Sequence, residues 1–215
     1  AAAEFQQRTG HPRHEARSLI DARGLIESSD SRGPAALKRI RASASEAELL
    51  EAGAREVAKA TSAAEALHAA AHALRHVTPA TVYALFEYDA SADRLICRIT
   101  SGDDQRFLDG LVINMGERVT GWSAANRQTS VNSDASLDLA QIATFFTPHM
   151  RATISTPLAD GELLLGELTA YSPTENAFGD LHSCAFEQLS SALADRLSSL
   201  KSKTGLNVVS FPVRG

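Results

Sequence analysis

Three histidines, His68, His72 and His76, recur at every fourth residue, and Glu65 stands one helical turn ahead of them. On a helix this spacing aligns four metal-ligating side chains along one side. A zinc or haem role is one reading. A single helix does not close a tetrahedral site, however, and His76 lies too far along to share an ion with His68. The stripe reads instead as the half-buried margin of an amphipathic helix, and no metal is assigned. A second set gathers around Glu167. In the run Leu163 to Tyr171, strand alternation puts Leu168 and Ala170 on one face and Glu167, Thr169 and Tyr171 on the other. Arg98, Arg151, Thr153 and Ser155 can join the polar face from neighbouring strands. A carboxylate on a covered sheet face is costly without partners, so this face either binds something or stands in water. Trp122, the single tryptophan, is either a pocket wall or an anchor for the loop that carries it, and Phe145, Phe146 and Met150 form either a lid or an apolar clip.

Nucleophilic catalysis has no matching pattern. There is no Gly-x-Ser-x-Gly elbow, and Asp103-Asp104 falls in a turn where solvated charge is the rule. Gly102, Gly110 and Gly116 do not build a phosphate-cradling loop running into a helix. Cys97 and Cys184 are the two cysteines, far apart in the chain and outside any Cys-x-x-Cys pair, which argues against a disulfide framework or a cysteine zinc site. Nothing asks for an enzyme.

Elements that position these residues can be read from composition. The chain has 215 residues, 44% of them hydrophobic, enough for a real core. Lys and Arg number 21 against 26 Asp and Glu, and no basic stripe offsets the net charge of −5, so nucleic acid is not an expected partner. No apolar run reaches the roughly 18 residues of a membrane span, and residues 1–30 lack the pattern of a secretory signal, so the expected location is cytoplasmic. Residues 1–33 specify no packed element and read as a poorly structured segment or tag. Residues 34–60 read as an N-terminal signalling or dimerisation helix, starting at a capping box of Ser45 and Glu48. A second box, Ser62 and Glu65, opens a helix that Pro79 ends. Then the period changes. Residues 81–88 and 94–100 read as a hairpin, 129–132 as a short edge strand, and 152–158 with 163–171 as a second hairpin. A last helix runs from about Asp180 to Lys201, and residues 204–215 form a tail. Strands between terminal helices favour an α+β fold with an antiparallel sheet.

Four segments carry a resemblance. Gly116-Glu117-Arg118-Val119-Thr120-Gly121-Trp122 resembles the Gly-x-x-x-x-Gly-Trp segment of GAF domains, and Thr129-Ser130-Val131-Asn132-Ser133-Asp134 resembles the strand that follows it. Thr156-Pro157-Leu158 with Gly166-Glu167-Leu168 is similar to the family's central hairpin, and Ala177-Phe178 to its closing segment. The match spans about residues 61–200, in the family's order. It implies a sheet of about six antiparallel strands, with N- and C-terminal helices on one face and a loop and short-helix excursion over the other. Between sheet and excursion the resemblance implies a ligand pocket, whose candidate residues are Arg98, Trp122, Asn132, Asp134, Phe145, Arg151, Thr153, Ser155, Glu167, Thr169 and Tyr171. Departures are informative too. Tyr171-Ser172 stand where cyclic-nucleotide phosphodiesterase GAF domains have Asn-Lys, no cysteine has a bilin-attachment context, and the two cysteines do not resemble the clustered ones of GAF-type methionine sulfoxide reductases. The cofactor is left open.

The function expected is that of a cytoplasmic bacterial sensory GAF domain in residues 61–203. It resembles those that accompany diguanylate cyclase or HD-type phosphohydrolase modules, and any catalytic output domain would belong to a longer protein. Its ligand is a small molecule, with cyclic nucleotides among the candidates. Its signal passes through helices that pair with a second copy, using Leu189, Leu193, Leu197 and Leu200 with Leu49, Leu50 and Val57. The alternative is a structural dimerisation module whose pocket is collapsed and empty.

Overall fold

The computed structural model of the chain describes residues 34–203, and the expectations for 1–33 and 204–215 lie outside them. The chain divides into two units, Ala1–Ser43 and Ala44–Gly215, and of the first only 34–43 are described, all helical. Helix α1 spans Pro34–Lys59. The start expected at Ser45 is therefore corrected: Ser45 lies inside the helix. Ala, Leu, Lys and Arg upstream are strong helix formers, and Pro34 is well suited to a first helical position, so the helix begins there and absorbs Ser45 at small cost.

Helix α2, Ala63–Val77, begins where the sequence predicts. Ser62 Oγ accepts from the Glu65 N–H at 3.2 Å, and the Glu65 carboxylate turns back to the Thr61 N–H and hydroxyl, both at 2.7 Å. Both its leucines and five of its alanines are buried, whereas His68, His72 and His76 lie exposed along the opposite side. With Glu65 committed to the cap, the stripe gathers no metal set, and no cluster of three or more His, Cys, Asp or Glu side chains suited to a metal exists among the described residues. Gly53 of α1 meets this helix at backbone range: a Cβ there would lie 2.4 Å from Ala73 Cβ.

The six strands are β1 (Val82–Asp89), β2 (Arg94–Gly102), β3 (Val112–Asn114), β4 (Ser130–Asp134), β5 (Ala152–Asp160) and β6 (Leu163–Ser172). They form one antiparallel sheet in the order β3-β2-β1-β6-β5-β4. The sequence reading of the excursion missed β3, three residues whose alternation is too short to register. Helices α3 (Arg118–Asn126) and α4 (Ala135–Leu139) lie in the excursion, and α5 (Asp180–Lys203) closes the fold.

Alternation along the strands sorts two cores. On one face Tyr83, Leu85, Ile154, Leu168 and Ala170 pack with α2 and α5 through Leu67, Leu74, Phe186, Leu189 and Leu193. On the other, Val82, Phe86, Leu95, Cys97 and Tyr171 pack under Leu108, Ile113, Leu139, Phe146 and Met150 of the excursion. Each such large side chain contributes about 1.5–3 kcal/mol on burial. One consequence bears on assembly. Leu189, Leu193, Leu197 and Val57, expected to face a second copy, are taken up by the chain's own core, leaving Leu49 exposed and Leu50 half-buried.

Candidate functional site

Where α3 and α4 settle on β5 and β6, small polar side chains meet. α3 turns Val119, Thr120, Ser123 and Ala124 inward. From the sheet, β5 offers Thr153 and Ser155, and β6 offers Glu167, Thr169 and Tyr171, all fully buried. Register brings them side by side: Ser155 pairs with Thr169, Thr153 with Tyr171, and Pro157 and Phe86 flank Glu167. From α4 comes Asp138, also fully buried.

The resulting network is continuous. Ser155 Oγ lies 2.9 Å from Glu167 Oε1 and 2.8 Å from Thr169 Oγ1, Thr169 Oγ1 lies 3.0 Å from Thr120 Oγ1, and the Thr120 hydroxyl donates to Asp138 Oδ2 at 2.6 Å. Ser123 Oγ is in close contact with Glu167 Oε1 and reaches Gln128 O at 2.7 Å and Ser155 O at 3.1 Å. Asp138 Oδ1 accepts from the Val119 and Thr120 N–H groups at 2.8 and 3.0 Å, and the Tyr171 hydroxyl stands 3.4 Å from Oδ2. Glu167 Oε2 and Thr153 Oγ1 are buried without a partner. Burial pushes the Glu167 carboxyl well above its ordinary range, against the pull of Ser123 and Ser155, with Asp138 pushing the same way. It also raises Asp138, against donors from Thr120 and Val119, and raises Tyr171.

Of the residues expected at the site, the structure therefore brings together Thr153, Ser155, Glu167, Thr169 and Tyr171. The other six stand elsewhere. Arg98, on the opposite side of β2 from Cys97, pairs with Glu87 at 3.0 Å. Arg151 is exposed and bound to Glu175, which raises its pKa. Asn132 ties the backbone of Phe178: its Oδ1 accepts from the Phe178 N–H at 2.8 Å and its amide donates back to Phe178 O. Asp134 caps α4 through the Ser136 N–H at 2.8 Å, a bond that lowers its pKa. Trp122 is 45% exposed on the outer side of α3, and Phe145 is 55% exposed with its ring against Phe107, so neither lines the network. Three members were not in the expected set: Thr120, Ser123 and Asp138. Thr120 and Ser123 do carry a signal, since they sit three apart on the helix side that also holds Val119 and Ala124.

A separate groove of about 610 Å³ runs between α5 and the outer edge of β5, lined by Arg127, Gln128, Thr156, Pro157, Glu187 and Ser190. β4 pairs with β5 only as far as Ser155, and Pro157 brings no N–H to extend that edge.

The six-stranded antiparallel sheet between its helices and the excursion defines a GAF-type α+β domain. The GAF domain family matches residues 62–198, more than half of the chain, and the chain belongs to that family. Solved structures agree on the fold. The GAF domain of a phosphoenolpyruvate-protein phosphotransferase from Coxiella burnetii superposes with a TM-score of 0.65 at 20% identity, over 75% of this chain and 97% of that one. Free methionine-R-sulfoxide reductase from Neisseria meningitidis, solved in complex with its substrate, gives 0.61 at 22%, over 74% and 91%. The chromophore-binding domain of a bacteriophytochrome from R. palustris gives 0.58 at 13%, over 73% and 61%. No curated protein matches the chain. Among the described residues no helix is long and apolar enough to cross a membrane.

Proposed function

We propose that this chain is a sensor whose GAF domain takes a small molecule between the sheet and the excursion, at Glu167, Ser155, Thr169, Thr120, Ser123 and Asp138. The observation that carries the reading is Glu167 Oε2, a buried carboxyl oxygen with no partner in a network whose other carboxyl is well supplied with donors. A native interior seldom leaves such an atom alone, and a ligand group is one thing that completes it. Among ligands, a cyclic nucleotide suits the site poorly, because its phosphate would face two carboxyl groups. The reading is of a binding domain in the cytoplasm, with any catalysis in an attached output module. Cys97 is buried with its thiol pushed far up by burial, and Cys184 is exposed on α5, which gives little support to a thiol chemistry like that of the reductases. Signalling would run through α1 and α5 to a second copy, with ligand biasing two helix arrangements. Native mass spectrometry of the freshly purified chain, followed by a thermal-shift screen of metabolites, tests the reading. A bound molecule lost in Glu167→Ala is the expected result.

The second reading, a structural dimerisation module, is favoured by one observation: Glu167, Thr169 and Ser155 are completely covered. It predicts a dimer by light scattering and no small molecule in either experiment.

A further inference from the structure

Among the described residues, Asp138 and Glu167 are the charged side chains that the fold buries, and no lysine, arginine or histidine is buried with them. Proton counting in the network shows how two acids share one site. Each hydroxyl has a single proton to give. Ser123 has three acceptors in reach, Gln128 O, Ser155 O and Glu167 Oε1. Ser155 has two, Glu167 Oε1 and Thr169 Oγ1. Thr120 donates to Asp138. Thr169 adds one more proton, for Ser155 or Thr120. Glu167 thus has at most two hydroxyl donors, both at Oε1 and none at Oε2, while Asp138 receives two N–H groups and a hydroxyl. The negative charge belongs on Asp138. Glu167 is the neutral acid, its proton on Oε1 directed to Ser123 Oγ, which frees the Ser123 proton for Gln128 O.

In this arrangement a proton occupies the place of a cation. We infer that the small molecule taken by this site carries a compact primary ammonium group, which seats against Glu167 and displaces that proton. The inference rests on the small-molecule reading above and adds the chemical class. The step balances: neutral Glu167 and a ligand ammonium give a Glu167 carboxylate paired with the ammonium, and one proton passes to solvent. Three N–H donors then supply what the hydroxyls lack, Glu167 Oε2 included. The groups that face Glu167 set the charge balance. Asp138 comes from α4, Tyr171 and Thr169 from β6, and Ser155 and Pro157 from β5, while β1 presents Phe86. Cys97 of β2 lies beside Tyr171. α3 contributes Ser123 and Thr120, with exposed Arg127 at its C-terminal cap and Arg118 donating to Asp138 O. With both carboxylates ionised, one ammonium restores the charge the closed site has with its proton. Entry requires α3 to lift off β5 and β6, since Ser123 and Thr120 span that seam.

The test uses the full chain and simple probes: methylammonium, ethylammonium and ethanolammonium chlorides, with ethylene glycol, glycolate and potassium chloride beside them, up to about 100 mM. Thermal midpoints and amide NMR shifts are read at pH 6 and pH 8. The ammonium probes alone should raise the midpoint and shift amides of α3 and β6. Their affinity should tighten with pH by up to about tenfold per unit, with about one proton released per binding event in calorimetry in two buffers. Glu167→Gln should abolish the response. If that variant does not fold, the proton release of the unaltered chain carries the test. An equal response to potassium chloride, or no response to the ammonium probes, overturns the ammonium class. If a neutral or anionic metabolite then binds, is kept by Glu167→Gln and is lost in Glu167→Ala, the small-molecule reading survives without the ammonium class. If native mass spectrometry and the metabolite screen are also empty, both fail.

Discussion

Asp138 caps the N-terminus of α3 from another helix. Its Oδ1 accepts the N–H groups of Val119 and Thr120 at 2.8 and 3.0 Å, and Thr120 closes the contact by donating its hydroxyl to Oδ2 at 2.6 Å. Glu117, the residue in the usual capping position, makes no cap bond and accepts instead from the Asn114 side-chain amide at 3.1 Å. A carboxylate at the start of a helix also meets the positive end of its dipole. One side chain thus fixes α3, α4 and the sheet together.

Removing it should loosen the excursion selectively. Asp138→Ala leaves two buried N–H groups unpaired, each at about 1–3 kcal/mol. Urea unfolding should show that loss, and hydrogen exchange should lose protection in α3 and α4 while β1 and β6 keep theirs. Uniform loss across the sheet would show that Asp138 supports the whole fold rather than the excursion.

Stability should depend on pH through Glu167. Its carboxyl titrates well above 4.5 in the folded chain because burial disfavours the charged form. The folded state therefore binds this proton more tightly than the unfolded one. Its contribution is fully present below 4.5 and is lost as pH rises through the higher folded value. Asp138, also raised, adds in the same direction. Thermal midpoints without added ligand should fall between pH 5 and pH 8. Glu167→Gln should flatten that fall, by about 1.4 kcal/mol for each tenfold by which folding strengthens proton binding at Glu167. Parallel curves for the two proteins would exclude Glu167 as the source.

What the sequence could and could not tell follows local rules. Glu167, Thr169 and Tyr171 were legible as one face because strand alternation is a short-range property, and the start of α2 because Ser62 and Glu65 cap within one turn. Asp138 was not legible as a cap, since the N–H groups it serves lie 18 and 19 residues earlier. Arg98 and Arg151 illustrate the opposite error. Alternation and composition made them candidates, but Glu87 and Glu175 hold them, and those partners are set by the register and loops of the finished fold. The leucines of α5 misled for a related reason: a three- and four-residue stripe looks the same whether it covers the chain's own sheet or a second copy.

Gly53 offers a packing test. Alanine in its place gains about 1 kcal/mol of helix propensity, but its Cβ would sit 2.4 Å from Ala73 Cβ. Ala73 Cβ is fixed to its backbone and cannot swing aside. Overpacking of this kind costs about 1–3 kcal/mol, so Gly53→Ala should lower stability despite the better propensity. Adding Ala73→Gly should recover part of the loss, and chemical denaturation of the two variants decides the matter. A stabilised Gly53→Ala would mean that α1 and α2 separate at little cost.

Asn132, expected at the ligand, should behave as a brace. Its φ of 58° lies in the left-handed region that asparagine tolerates better than most residues. Its side chain pairs with both backbone groups of Phe178, fastening β4 to the segment that leads into α5. Asn132→Ala loses both bonds and places a Cβ residue without local hydrogen bonding in that conformation, for a loss of about 2–3 kcal/mol. Asn132→Gly loses the bonds alone and should retain about 1 kcal/mol more. Unfolding curves of both variants measure the difference, and thermal shifts with an ammonium probe should be unchanged in the glycine variant. Equal stability of the two variants would remove the conformational part of the argument, and a lost probe response would return Asn132 to the binding site.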